Sequence, residues 1–244
     1  MVRWARAVIR TLDVKLQISG SDLIEAGRPY LVLPLHDGLV DIAVLLSLSL
    51  PMTFVTRADL ADEEPFDRLL QASDQILINP EAPSALRTVM RETAQRNAQG
   101  RSVVMFPQGS VLGIETAFQK GAFDVARTLE LEVLPVVIAG THKVWDHPFS
   151  PLISLSQPVF VQVLAPRRVK AFEEYRTLER EMKTLALNNT WARARRYVPE
   201  RDGYWDGYRF DIDPDYPDVA DGVARHRRAR ESERAAETAE RPSL

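Results

Sequence analysis

The chain has no cysteine and only four histidines in 244 residues. It also has no uninterrupted apolar run of the roughly 18 to 20 residues that a bilayer-spanning helix needs. The first absence excludes disulfides, thiolate nucleophiles and cysteine-ligated zinc or iron–sulfur centres, and it fits any redox compartment. The second leaves few ways to build a metal site. His142 and His147 flank Asp146, but no third ligand stands at a familiar spacing, so a solvated loop accounts for them and no metal is expected. The third predicts no transmembrane anchor. The best apolar stretch, Ile42 to Val55, is broken by Ser47, Ser49 and Pro51 and reads as a buried helix running into a strand, and the start lacks the apolar centre of a signal peptide. A basic excess is missing too: 31 Lys and Arg stand against 34 Asp and Glu, a net charge of -3, which argues against a general nucleic-acid binder.

What is present suits a folded enzyme-sized domain. Hydrophobic residues make up 45% of the chain, enough to bury a sizeable core in one domain with a tail. Asp13-Val-Lys-Leu-Gln-Ile-Ser alternates with period two and predicts a half-exposed strand. Tyr30 to Leu35 predicts a buried strand, Leu39 to Ser47 a helix, and Met52 to Thr56 a strand. A helix follows from Pro65 to Ser73, then a strand from Gln75 to Ile78. Ser84 to Gln99 predicts a helix with Ser84 as N-cap and Gly100 as stop. Ser102 onward and Val133 to Ala139 are β-branched runs that end in Pro107 and Gly109 and in Gly140. Phe160 to Leu164 is expected as an edge strand, and Phe172, Tyr175, Leu178, Met182 and Leu185 mark one face of a closing helix. Helices alternating with apolar strands predict an α/β fold: a single sandwich domain with a largely parallel central sheet flanked by helices.

The chemistry-bearing residues sit just beyond strand ends, where open sheets place ligands. In Leu35-His-Asp-Gly-Leu-Val-Asp41, His36 precedes Asp41 by five positions. If a helix begins at Leu39, Asp41 lies in its first turn and can fold back on one imidazole nitrogen, leaving the other to accept a proton. The same spacing also fits a structural hydrogen-bonded pair. Downstream come Phe106-Pro-Gln-Gly-Ser110, Phe118-Gln-Lys-Gly-Ala-Phe123 and Leu134-Pro-Val-Val-Ile138. With Ile76-Leu-Ile-Asn-Pro80, these pieces in this order resemble the glycerolipid acyltransferase family typified by bacterial lysophosphatidic acid acyltransferases. The four blocks of that family are H-x4-D, a block ending in Asp-Arg, Phe-Pro-Glu-Gly-Thr-Arg, and a Pro-rich strand. The resemblance covers about residues 15 to 165. It departs from the family pattern at Pro80 and Val111, where arginines are usual, and at Gln108, where glutamate is usual. In the family those positions bind a phosphorylated glycerol acceptor.

The resemblance implies an acyltransferase that moves a fatty acyl group from acyl-CoA or acyl carrier protein to a lysolipid or related lipid acceptor. His36 would be the general base and Asp41 its orienting partner. Backbone N–H groups near Gly109, with Arg57 or Lys120, would stabilise the oxyanion. Gln108, Gly109, Ser110, Arg57 and Lys120 are thus the expected substrate-binding residues, and no cofactor beyond the acyl donor is expected. Two other classes remain open on the sequence: a lipid-binding or regulatory protein that kept the fold without turnover, and a thioester hydrolase using His36 to activate water.

Residues 1–14 predict a basic amphipathic helix, with Val2, Ala5, Val8, Ile9 and Leu12 on one side and Arg3, Arg6 and Arg10 on the other. Such a helix either packs on its own domain or lies on anionic lipid. A lipid substrate favours the second use, with the protein cytoplasmic and peripheral to the inner face of the cell membrane. The acyltransferase-like domain is expected over 15–190. Residues 191–220 are expected to form an aromatic and Asp-rich extension packed on the core. Its Asp211, Asp213 and Asp215 lack the Gly and Glu of a calcium loop. Residues 221–244 are expected to form a charged tail, helical or disordered.

Overall fold

The computed structural model describes residues 2–62, 73–109, 111, 116–145 and 153–188, together with 224 and 228. Ser110, His147, most of the helix expected from Pro65, and nearly all of the two C-terminal segments lie outside the described residues. The first helix, α1 (Val2–Thr11), is followed by β1 (Lys15–Ser19), β2 (Leu31–Pro34), α2 (Asp41–Leu46) and β3 (Met52–Arg57). Then come β4 (Ile76–Ile78), α3 (Ala85–Ala98), β5 (Ser102–Val104), α4 (Lys120–Thr128) and β6 (Val133–Ala139). A short α5 (Thr141–Val144), β7 (Pro158–Val163) and α6 (Phe172–Asn188) complete the order.

The strands form one seven-stranded sheet in the order β1-β7-β6-β2-β5-β3-β4. Strands β6, β2, β5, β3 and β4 run parallel, as βαβ crossovers require, while β7 is antiparallel to β6 and parallel to β1. The central strands are buried on both faces, which explains their continuous apolar runs: Leu31 to Leu33 and Val133 to Ile138 have essentially no exposed surface. Leu31, Leu33, Val103, Val133 and Val137 point to the side covered by α3, α4 and α6, where Val89, Phe123, Val125, Tyr175 and Met182 join them. Val32, Val104, Leu134, Val136 and Ile138 point to the other side, beneath Ala5 of α1 and Val44 and Leu45 of α2. The result is a three-layer α/β/α sandwich.

Two sequence expectations need correction. Phe160 to Val163 of the expected edge strand falls within β7, which is an interior strand, because β1 pairs along its outer side from Lys15↔Pro158 to Ser19↔Gln162. Among the described residues the edges are β1, largely exposed, and β4. Ser84 does occupy the position before α3, but its side chain makes no capping hydrogen bond there. The closing face of α6 is as expected at Tyr175, Leu178 and Met182, all essentially buried, whereas Phe172 at its start is exposed.

Candidate active site

The carboxyl ends of β6, β2 and β5 lie side by side, and each carries part of one polar cluster. β2 runs into Leu35 and His36, after which the chain turns and Asp41 opens α2. His36 Nδ1 lies 2.8 Å from Asp41 Oδ2. The same Asp41 oxygen accepts the backbone N–H of Asp37 at 2.8 Å and of Gly38 at 3.1 Å. Its other oxygen accepts a hydrogen bond from the Thr141 hydroxyl. Asp41 has no exposed surface. An ionised carboxylate only accepts, so the hydrogen-bond network places the His36 proton on Nδ1 and leaves Nε2 with its lone pair.

The imidazole is held from two further directions. Its ring stacks on Phe106 with centroids 3.8 Å apart and planes 21° from parallel, and its backbone N–H donates to Gln108 Oε1 at 2.6 Å. Phe106 and Gln108 belong to the turn after β5, next to β2 in the sheet, so the histidine and the Phe-Pro-Gln-Gly segment meet although they lie far apart in sequence. The sequence reading set Gln108 against substrate. In the structure its side chain is fully buried and turned back on the histidine loop.

The remaining sequence candidates are distributed differently. Gly109 is exposed beside the cluster, and its own N–H donates to the Phe106 carbonyl at 3.1 Å and closes the turn. Arg57 ends β3, two places from β2, a lateral separation of about 10 Å at ordinary strand spacing. Its guanidinium is bidentate on Asp59, at 3.0 and 2.7 Å, and holds that carboxyl below the usual range. Lys120 opens α4 and lines a separate cleft of about 380 Å³ with Phe123, Asp124, Arg127, Lys170 and Phe172, which contains neither His36 nor Asp41. At the two family arginine positions, Pro80 is exposed in the turn after β4 and Val111 is buried.

Sequence reasoning missed a second pair beside the first. Asp37 Oδ2 lies 2.8 Å from His142 Nδ1 and accepts the Gly140 N–H at 2.8 Å. Burial pushes the Asp37 carboxyl up, but the His142 imidazole and the backbone N–H groups of His142 and Gly140 outweigh it, and the group ends below the ordinary carboxylate range. His142, read from the sequence as a solvated loop residue, is thus a half-buried partner of a buried carboxylate. The only local signal was an aspartate directly after the motif histidine.

Two glycines let these loops approach. A Cβ on Gly38 would come within 2.6 Å of the Thr141 backbone carbon. Gly140 adopts φ +101°, and a Cβ there would meet the Pro158 carbonyl oxygen at 2.6 Å.

The chain is 27% identical over 177 residues to the 1-acyl-sn-glycerol-3-phosphate acyltransferase of Cocos nucifera, covering 69% of this chain. It spans about half, 55%, of that relative's length. The crystal structure of the 1-acyl-sn-glycerophosphate (LPA) acyltransferase PlsC from Thermotoga maritima superposes with a TM-score of 0.65 at 21% identity, over 79% of this chain and 80% of that one, and so shares the fold. Residues 15–139, just over half the chain and the stretch that carries His36, Asp41 and the Phe106 turn, match the family model described as acyltransferase, and the chain belongs to that family.

Proposed function

We propose that the protein transfers a fatty acyl group from a thioester donor, acyl-CoA or acyl carrier protein, to the hydroxyl of a lysolipid or related lipid acceptor. The observation that carries this is the His36 imidazole, fixed through Nδ1 on Asp41 at 2.8 Å and stacked on Phe106, with Nε2 left as a base. Nε2 takes the proton of the acceptor hydroxyl as its oxygen attacks the thioester carbonyl. Asp41 stabilises the imidazolium that forms. Collapse of the tetrahedral intermediate breaks the C–S bond, and the departing thiolate recovers the proton from His36. No covalent enzyme intermediate is required.

Membrane contact fits a lipid acceptor. No helix among the described residues is long and apolar enough to cross a membrane. The apolar side of α1 is used within the domain, where Ala5, Val8, Ile9 and Leu12 join the core beneath α2. Its outward side presents Arg3, Trp4, Arg6 and Arg10. A cationic side with an amphipathic aromatic residue suits the headgroup region of an anionic bilayer, as a peripheral and cytoplasmic-face attachment.

The deciding experiment incubates purified protein with acyl-CoA, or acyl carrier protein charged with a fatty acid, and a panel of lysolipids, read by mass spectrometry. Acylated lipid is the expected product. Thioester consumed to free fatty acid with no acylated lipid identifies a hydrolase, and binding without consumption identifies a non-catalytic lipid-binding protein.

A further inference from the structure

The mechanism above uses His36 and Asp41 and leaves Asp37, Thr141 and His142 without a task, although they form a hydrogen-bonded polar group beside the base. Both carboxylates are buried, and each holds an imidazole Nδ1 at 2.8 Å. The Thr141 hydroxyl lies between them, bonded to Asp41 Oδ1 and 3.3 Å from Asp37 Oδ2. A hydroxyl has one proton, and an ionised carboxylate cannot return one. That proton belongs to Asp41 Oδ1, the closer oxygen, while Asp37 is supplied by Gly140 N–H and His142.

Asp37 also ties two loops together. It belongs to the loop after β2, yet its carboxylate is bonded to Gly140 and His142, which follow β6 and flank Thr141 on either side. Gly38, next to it, lies so close to Thr141 that no side chain fits between. The place of the Thr141 hydroxyl is therefore set by Asp37. Asp41 in turn uses Oδ2 for the His36 ring and the N–H groups of Asp37 and Gly38, and relies on Thr141 for Oδ1. Without that donor, a buried carboxylate oxygen is left unpaired, and the group must rotate or admit water to recover one. Either response moves the oxygen that orients His36.

We propose that Asp37, Thr141 and His142 form a second imidazole–carboxylate unit whose role is to position Asp41 and, through it, the His36 ring, with Thr141 as the contact between the two. Thr141 and His142 are positioning residues. The kinetic consequence rests on the acyltransferase reading, but the structural consequence does not.

The test compares Thr141→Val, which keeps the shape and removes the hydroxyl, with Thr141→Ser, which keeps the hydroxyl. It uses the full chain, with folding checked by circular dichroism. Thr141→Val should lower kcat on the order of ten- to a hundredfold, by analogy with the loss of an outer hydrogen-bond partner of a metal-bound histidine, with KM for the acyl donor unchanged. Thr141→Ser should stay within about threefold of wild type. Independently of activity, nitrogen-15 histidine spectra should show His36 and His142 each protonated on Nδ1, with His142→Gln identifying its own signal. Thr141→Val should shift the His36 Nδ1 signal, and Thr141→Ser should not. If Thr141→Val does not fold, Thr141→Ala provides the same contrast with serine. The proposal is overturned if either kcat or the His36 signal is unmoved in the hydroxyl-free variant. If wild type transfers no acyl group to any acceptor, the acyltransferase reading fails, and the histidine spectra alone decide whether Thr141 positions the dyad.

Discussion

His36 uses one ring nitrogen for Asp41 and keeps the other for chemistry, so two substitutions separate the two uses. His36→Ala should abolish transfer, by about a hundred- to ten-thousandfold for a positioned base, with the fold intact because the ring is partly solvent-facing. Asp41→Asn should cost less in the proton step, since an amide can still bond the ring, but it changes the tautomer that Asp41 imposes. Acyl-transfer rates beside circular dichroism check both, and near-wild-type turnover of His36→Ala would remove the assignment. Asp37 leads to a different outcome. Its folded carboxyl lies below the ordinary value, so the stability it contributes is complete above about pH 4, near the unfolded pKa. That contribution is lost as pH falls through the depressed folded pKa. Asp37→Asn should therefore be less stable than wild type at pH 7, on the order of 1–3 kcal/mol for donors left poorly paired. Its urea midpoint should also fall less steeply below pH 4; equal slopes for both proteins would contradict the assigned ionisation. The first dyad was legible because His36 and Asp41 are five positions apart. The second was not, because Asp37 and His142 are separated by 105 positions and meet only through the adjacency of β2 and β6.

At the scale of elements, the interior strands were readable because burial on both faces leaves an unmistakable apolar run, as in Val133 to Ala139, which is buried throughout. Sheet edges were not readable. β7 alternates buried and half-buried residues, so one face is partly open, yet it is covered laterally by β1, a strand from the start of the chain. Local periodicity reports which faces are covered and says nothing about lateral partners. Helix α1 shows the same limit, since its apolar stripe predicted either packing or lipid contact, and the packing is seen under α2 while the arginines stay outside. Lipid contact by this helix is therefore expected to be electrostatic. Each arginine should strengthen binding to anionic vesicles about fivefold, and binding should weaken as salt shortens the Debye length. In vesicle sedimentation, an Arg3→Glu, Arg6→Glu, Arg10→Glu variant should stay in the supernatant, with little effect on zwitterionic vesicles. Equal sedimentation of variant and wild type on anionic vesicles would leave α1 a packing helix only.

For the whole molecule, the question is which acceptor the polar edge of the sheet selects. A phosphomonoester carries nearly two negative charges, and a site that desolvates it needs fixed cations, because an unpaired buried charge costs several kcal/mol. Pro80 and Val111 stand where the family pattern has arginine and offer no charge. The cations named from the sequence do not replace them in this arrangement: Arg57 is bidentate on Asp59, and Lys120 lines a different cleft. What surrounds His36 is two buried carboxylates, an aromatic ring and a second imidazole, so the local field favours cations and neutral groups over dianions. The expected acceptor is a lysolipid or alcohol whose head group is zwitterionic, neutral or amino-acid derived. Competition kinetics on one enzyme preparation check this directly. Lysophosphatidic acid should not lead the panel in kcat/KM; if it leads by tenfold, about 1.4 kcal/mol, cations from elsewhere in the chain have taken over the missing arginines and the inference is wrong.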